Sequence, residues 1–252
     1  MILLVDIGNS RMKWAFRTDA ELLMQGVATH RDAPVINEFF TAAWATLPAP
    51  QRVLVANVAG KKMAAALRTW VKSAWGLDAE VLVPRRKACG VTNAYIEPQR
   101  LGVDRWAALI GARKLVLGNV CVIDCGTAVT LDVLDANGQH LGGLIIPGMA
   151  MMRQALTQNT GGIPEQSVLP GDGKASVLAR DTQGAVNGGA LYTLIAVIDR
   201  VTADLAADLH APLIRVICGG DAERLLPLLA GTYRHEPDLV LRGLAVVAES
   251  SK

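Results

Sequence analysis

The chain of 252 residues lacks a dominant charge: 25 lysines and arginines stand against 23 acids, a formal net charge of +2. So close a balance leaves no electrostatic footprint for nucleic acid, and none is expected as a partner. Cysteine is scarce. Cys89, Cys121, Cys125 and Cys218 are scattered without a C-x-x-C pair, and the four histidines stand apart. Such spacing excludes a zinc framework and a disulfide framework, and it fits a reducing compartment. Cys121 and Cys125 fall on or beside one expected strand, where positions four apart lie too far from each other to share a metal; they read as buried apolar thiols. Apolar runs such as ALYTLIAVI at 190–198 are too short to span a bilayer, so no membrane partner is expected. The residues before Asp6 carry no charged segment and no long apolar stretch. No signal peptide is expected there, and the expected location is the cytoplasm. The phosphate-binding patterns G-x-x-x-x-G-K-[ST] and G-x-G-x-x-G are missing too, which removes the P-loop and Rossmann readings. The one dense basic cluster, Arg85, Arg86 and Lys87, reads as a solvated loop.

What is present reads twice. Runs rich in Val, Ile and Leu predict strands at 1–7, 10–17 and 21–28. A helix over 34–46, a strand at 53–56, a helix over 61–75, a strand at 79–83 and a helix over 102–117 follow. The second half repeats the order, with strands at 119–124, 127–135 and 138–146 and a helix after Pro147. A longer helix over 184–206 carries Leu191, Leu194, Ile195, Ile198 and Val201 on one stripe. Strand 213–217, helix 220–229, strand 232–236 and helix 239–249 complete it, and the Gly- and Pro-rich 158–175 reads as a mobile loop. Asp6 and Asp124 are 118 positions apart, close to half the chain. The expected fold is therefore a duplicated α/β unit, with halves at 1–117 and 118–252.

Each half opens on the same grammar: an apolar strand, an acid, a glycine, a hydroxyl. In DIGNSRMKW at 6–14 the expected turn is Ile7–Gly8–Asn9. Gly8 can take a positive φ and let a ligand approach the backbone, and Asn9 tolerates left-handed conformations. Ser10 offers a hydroxyl, and nearby N–H groups can point at an anion. Asp6 would repel a phosphate unless a metal ion stood between them, as magnesium does. The same reasoning covers Asp124, Gly126 and Thr127 in IDCGTAVTLDVL at 123–134. Two such hairpins suit a nucleotide's phosphates, although each is also ordinary hairpin chemistry. In VICGGDAERL at 216–225 a strand, Gly219–Gly220 and a helix start could receive a base and sugar or a phosphate, or form a plain turn.

A further acid lies in LGVDRWAALIGAR at 101–113. Asp104 and Arg105 occupy the first turn of the expected helix, where the dipole favours a carboxylate in any case. The chemical alternative is a carboxylate that accepts the proton of a substrate hydroxyl beside a guanidinium that grips a substrate carboxylate. Tyr95, in the loop just before, is either a wall of a small pocket or a packing residue.

In order and spacing, DIGNS at 6–10, GVDR at 102–105, DCGTAVT at 124–130 and GGLIIPG at 142–148 resemble the type III pantothenate kinases, also described as the Bvg accessory factor family. The resemblance spans essentially the whole chain. It implies the actin, Hsp70 and sugar kinase fold, two ribonuclease-H-like halves around a nucleotide cleft. It implies phosphorylation of pantothenate to 4′-phosphopantothenate by ATP, the first step towards coenzyme A. By the same resemblance, Asp6, Ile7, Gly8, Asn9, Ser10, Arg11, Met12 and Lys13 hold the ATP phosphates, with Asp6 near magnesium, and Thr127 touches ATP. Asp104 is the proton acceptor; Tyr95, Gly102, Val103, Asp104, Arg105 and Thr182 bind pantothenate; Asp124 binds a monovalent cation, potassium or ammonium. Members of the family are homodimers. Ser10 stands where the motif commonly has threonine, and VLVANVAGKK at 53–62 is looser than the family's serine-containing stretch. Two other readings keep the ATP fold: a sugar or N-acetylhexosamine kinase, and a regulatory protein that acts by binding a partner. The first is usually longer, and the second has no need of Asp6, Asp104 and Asp124 together.

Overall fold

The computed structural model describes residues 1–18, 21–30, 36–163 and 178–250. By contacts the chain divides into two compact units. One holds Met1–Leu117, Leu134–Gly142 and Asp238–Lys252; the other holds Gly118–Val133 and Gly143–Pro237. The expected division at 117/118 follows chain order, whereas contacts assign the segment 134–142 and the C-terminal helix to the first unit.

The first sheet is built from β1 (Ile2–Ile7), β2 (Arg11–Thr18), β3 (Glu21–Thr29), β4 (Arg52–Asn57) and β5 (Ala79–Val81). Its order is β3-β2-β1-β4-β5. β2 runs antiparallel to β1, whereas β4 runs parallel to it, with Asp6 opposite Lys13 on one side and Ala56 on the other. α1 (Ile36–Trp44) leads into β4 and α2 (Lys61–Trp75) leads out. α2 buries Met63, Leu67 and Val71, one residue per turn, and stops at Gly76, whose left-handed φ of 70° supplies the cap. Leu3, Val5 and Ile7 from β1 and Met12, Trp14 and Phe16 from β2 share one buried cluster with Phe40 and Trp44. Two short strands unpredicted from the sequence, β6 (Lys87–Ala88) and β7 (Val91–Thr92), form a hairpin before α3 (Val103–Leu115).

The second sheet repeats the order. β8 (Asn119–Cys125), β9 (Ala128–Leu134), β10 (His140–Pro147), β11 (Leu213–Cys218) and β12 (Arg234–His235) are arranged β10-β9-β8-β11-β12. Cys121, Ile123 and Cys125 lie 118 positions beyond Leu3, Val5 and Ile7 and fill the matching place in a second buried cluster. Burial pushes the Cys121 thiol up to about 12 and raises that of Cys125 as well, so both behave as apolar packing groups. α4 (Met149–Asn159) follows β10, and α5 (Thr182–Asp208) buries Leu191, Leu194, Ile195 and Ile198 as its stripe predicts. The loop expected at 158–175 falls from 164 onward outside the described residues. The helix expected at 220–229 is shorter: α6 (Ala222–Leu225) gives way to a 3-10 turn over Leu226–Leu228. Pro227 has no N–H to donate and cannot sit inside an α-helix.

α7 (Leu239–Ser250) closes the chain and packs along α3 in the first unit. Arg17 donates to the Ala245 carbonyl at 2.7 Å and pairs with Glu249, while Arg52 reaches the Ala248 carbonyl at 3.3 Å. The last turn of α7 carries no basic residue, so these two arginines supply the positive charge its C-terminal end favours. No described helix is long and apolar enough to cross a membrane.

Candidate active site

In the first unit, the acidic end of β1 is held by a tight hairpin. Gly8 N–H donates to the Arg11 carbonyl at 3.0 Å, so the turn residues are Gly8, Asn9 and Ser10. Ile7, expected in the turn, stays in the strand because its side chain belongs to the core and is fully buried. Gly8 is not among the glycines with positive φ. A methyl there would make only van der Waals contact, 3.4 Å from the Arg11 carbonyl oxygen. His30 braces the turn twice: its ring Nε2 lies 2.8 Å from the Gly8 carbonyl, and its backbone N–H donates to the Ser10 carbonyl at 3.1 Å. Direct pairing of Asp6 with Lys13 on antiparallel strands puts both side chains on one sheet face, an acid beside an ammonium. Both are half-buried, whereas Asn9 and Arg11 are exposed. Met12, like Ile7, is fully buried, so these two can serve a nucleotide only through their backbone groups.

The second group in this unit surrounds the start of α3. Gly102 is the residue before the helix, with φ −54° and ψ 133°. Asp104 Oδ1 accepts the Arg105 N–H at 2.8 Å, which fixes the carboxylate at the helix N-terminus. Arg105 is only 6% exposed, and its Nη1 donates to the Tyr95 hydroxyl at 3.1 Å. Its guanidinium carbon stands 5.8 Å from the centre of the Tyr95 ring. Val103 is buried, so its contribution to a ligand is confined to the backbone. The structure thus brings Tyr95, Gly102, Asp104 and Arg105 together, with a buried cation and an oriented acid on adjacent residues.

Gly102 has a specific reason to be glycine. A Cβ there would lie 2.6 Å from Asp104 Oδ1, while the backbone angles suit any residue. A methyl at 102 therefore displaces the carboxylate instead of straining the fold. Gly102→Ala is expected to lower kcat by about 10- to 100-fold, with a melting temperature within about 2 °C of the parent. Steady-state kinetics beside a thermal melt check this, and unchanged kcat would contradict it.

In the second unit, three glycine-containing turns converge on residues 124–127. Gly126 N–H donates to the Ala128 carbonyl at 3.1 Å, closing a turn one residue shorter than that of the first hairpin. A Cβ on Gly148 would lie 2.5 Å from the Thr127 carbonyl oxygen and 2.6 Å from that of Gly126. Gly219, with φ +92°, would place a Cβ 2.5 Å from both Asp124 Oδ1 and the Cys125 carbonyl. The Cys125 carbonyl also accepts the Asp221 N–H at 2.9 Å. The Gly219–Gly220 segment therefore does more than turn the chain: its first glycine is pressed against the Asp124 carboxylate. The Cys125 thiol is raised by burial first and then by the charges of Asp124 and Asp221, which places both acids close to it. Thr182 is exposed in the first turn of α5, where the Asp181 cap accepts the Gly184 N–H at 2.7 Å.

The sequence reading did not find Arg86, Asn93, His140, His30 or Asp221 near these turns. Asn93 had a local signal, since an Asn two residues before Tyr95 suits a side-chain-to-backbone turn, and its Oδ1 does accept the Tyr95 N–H at 3.0 Å. Arg86, read as a solvated loop residue, is exposed but donates to two carbonyls.

The comparisons with known proteins follow the same lines. A family model described as type III pantothenate kinase matches residues 2–204. A type III pantothenate kinase of Nitrosococcus oceani is 47% identical over 256 aligned residues, which cover 100% of this chain and 95% of that protein. Among solved structures, a Campylobacter jejuni protein described as a conserved Baf family transcriptional activator aligns with a TM-score of 0.61 at 20% identity, covering 99% of this chain and 98% of that one. A glucokinase from an Antarctic psychrotroph aligns with a TM-score of 0.50 at 15% identity, covering 99% and 98%. These two structures speak to fold alone. With the repeated sheet order, they place the chain in the ribonuclease-H-like fold that sugar kinases share.

Proposed function

The chain belongs to the type III pantothenate kinase family, and from that premise we propose how its own residues carry the reaction. It phosphorylates pantothenate with ATP in the synthesis of coenzyme A. In the proposed account, Asp104 accepts the proton of the attacking pantothenate hydroxyl. The observation that carries this is the fixed carboxylate at the start of α3, directly beside a buried arginine. Phosphoryl transfer passes through a loose transition state, so orienting the hydroxyl matters more than removing its proton early. A carboxylate anchored through one oxygen suits that task. Arg105, with its planar fork of donors, pairs with the pantothenate carboxylate. Tyr95, whose hydroxyl Arg105 already holds, borders the same substrate, as do the backbone groups of Gly102 and Val103.

ATP phosphates lie against the turn Gly8–Asn9–Ser10 and the Lys13 ammonium. Magnesium binds with few protein carboxylates and keeps waters and phosphate oxygens. Asp6, a single half-buried acid at the end of a strand, fits such an ion carried in with the nucleotide. Held there, the ion would supply positive charge against the charge that develops on the phosphates. Asp124, whose Oδ1 faces the Gly219 backbone, offers an anionic oxygen to potassium, or an acceptor to the N–H groups of ammonium. We further propose that the protein works as a cytoplasmic homodimer.

The test is ADP release by the purified protein with magnesium and ATP across a panel of acceptors. Turnover is expected with pantothenate and not with hexoses or N-acetylhexosamines. Turnover with a sugar, and none with pantothenate, would overturn the assignment.

A further inference from the structure

Tyr95 is held by residues that no part of the account above uses. Arg86, on the chain leading into the β6–β7 hairpin, donates from Nη1 to the Asn93 carbonyl at 3.0 Å and from Nη2 to the Ile96 carbonyl at 2.7 Å. One guanidinium therefore pins both ends of the 93–96 loop. Within that loop Asn93, itself buried, accepts the Tyr95 N–H through Oδ1 and donates from Nδ2 to the Pro98 carbonyl at 3.1 Å. On the far side, the His140 ring lies nearly parallel to that of Tyr95, with centroids 6.2 Å apart and an interplanar angle of 14°. His140 is 1% exposed and comes from the start of β10, so it cannot move aside easily. Its Nδ1 lies 3.5 Å from the Ala94 N–H. The Tyr95 hydroxyl then meets Arg105.

We infer that Arg86 and His140 are positioning residues for pantothenate: Arg86 fixes the backbone that carries Tyr95, His140 fixes the plane of its ring, and the two together set where Arg105 presents its guanidinium. The inference rests on the placement of pantothenate beside Tyr95 and Arg105. A loop of this kind, exposed at Ala94 and Ile96, has little packing of its own. Without the fork of Arg86 its conformations multiply, and the substrate must then order them on binding. The cost falls on recognition of pantothenate and leaves the nucleotide untouched.

The experiment measures KM for pantothenate, KM for ATP and kcat in the full-length protein for Arg86→Ala, Arg86→Lys, His140→Ala, His140→Phe and Tyr95→Ala. Arg86→Ala and His140→Ala are expected to raise the pantothenate KM by about tenfold, with the ATP KM within about twofold. His140→Phe keeps a flat ring against Tyr95 and is expected to recover most of the loss. Arg86→Lys keeps the charge without the fork and is expected to keep most of the defect. Full recovery with lysine would show that charge alone acts, and would overturn the inference. An Arg86→Ala enzyme with unchanged pantothenate KM, or with both KM values raised alike, would overturn it as well, provided that Tyr95→Ala raises the pantothenate KM. If Tyr95→Ala leaves that KM unchanged, the placement of the substrate itself is wrong and the inference falls with it. Should His140→Ala fail to fold, Arg86→Ala decides, because Arg86 is exposed and its loss opens no cavity.

Discussion

Asp104→Asn is expected to lower kcat for pantothenate phosphorylation by about a thousandfold, within the range a general base contributes. The substitution is close to isosteric. An amide oxygen at the Oδ1 position still accepts the Arg105 N–H that the carboxylate accepts at 2.8 Å. The helix start is therefore preserved, and so is the contact of Arg105 with the Tyr95 hydroxyl at 3.1 Å. The amide nitrogen that replaces the other oxygen is a donor, so the variant can neither orient the attacking hydroxyl by accepting its hydrogen bond nor take its proton. The pantothenate KM should stay within about threefold of the parent, because the loss lies in the transition state and not in uniform binding. The melting temperature should stay within about 2 °C. A variant that retained a tenth or more of the parental kcat would show that the hydroxyl loses its proton elsewhere, and the role given to Asp104 would have to be abandoned.

Gly243→Ala is expected to be the most destabilising small substitution in the first unit. A Cβ at 243 would fall 1.8 Å from the Ala107 carbonyl oxygen and 2.5 Å from its carbon. The same crossing is tight from the other side, where a Cβ on Gly111 would meet the Leu239 carbonyl oxygen at 2.6 Å. Here α3 and α7 touch backbone to backbone, and no flexible side chain can yield. Overpacking a core costs about 1–3 kcal/mol and occasionally more. With backbone on both sides, the upper end applies: about 3 kcal/mol, or a fall of about 6–12 °C in melting temperature for a chain of this size. Because α3 carries Asp104 and Arg105, activity should be lost at a lower temperature too. Gly189→Ala is the control. It lies in α5 with open space where its Cβ would be, so the better helix former should leave stability unchanged or raise it by up to about 1 kcal/mol. Equal melting temperatures for Gly243→Ala and the parent would mean that the two helices do not cross as described.

Much of this architecture was legible because it is written locally. Met63, Leu67 and Val71 repeat at helical spacing and Gly76 ends the run, so the helix over 61–75 follows from the sequence alone. The repeated order of elements and the 118-residue spacing of Asp6 and Asp124 gave away the duplication, and β1 and β8 fill matching places in their own clusters. The chemical turns were legible for the same reason: acid, glycine and hydroxyl sit side by side in 6–10 and 124–127, and Asp104 and Arg105 are neighbours. What failed was set by distant partners or by a single residue. Ile7 was drawn back into β1 by the core, which moved the turn by one position. Pro227 cut a helix that its apolar pattern would have continued. The β6–β7 hairpin has two residues per strand, too few for any periodicity. His140 meets Tyr95 from 45 positions away, and α7 returns to α3 from the far end of the chain. Neither contact has a trace in the sequence around it. Arg86 looked like a solvated charge because its acceptors are backbone carbonyls, which carry no sequence signature.

The decisive experiment identifies the product by mass spectrometry and phosphorus NMR after incubation of the protein with magnesium, ATP, potassium and pantothenate. The expected product is pantothenate carrying one added phosphoryl group on its terminal hydroxyl, formed in step with ADP and reduced to a trace by Asp104→Asn. ADP formed without phosphorylated pantothenate, or a phosphorylated product that Asp104→Asn makes as fast as the parent, would contradict it.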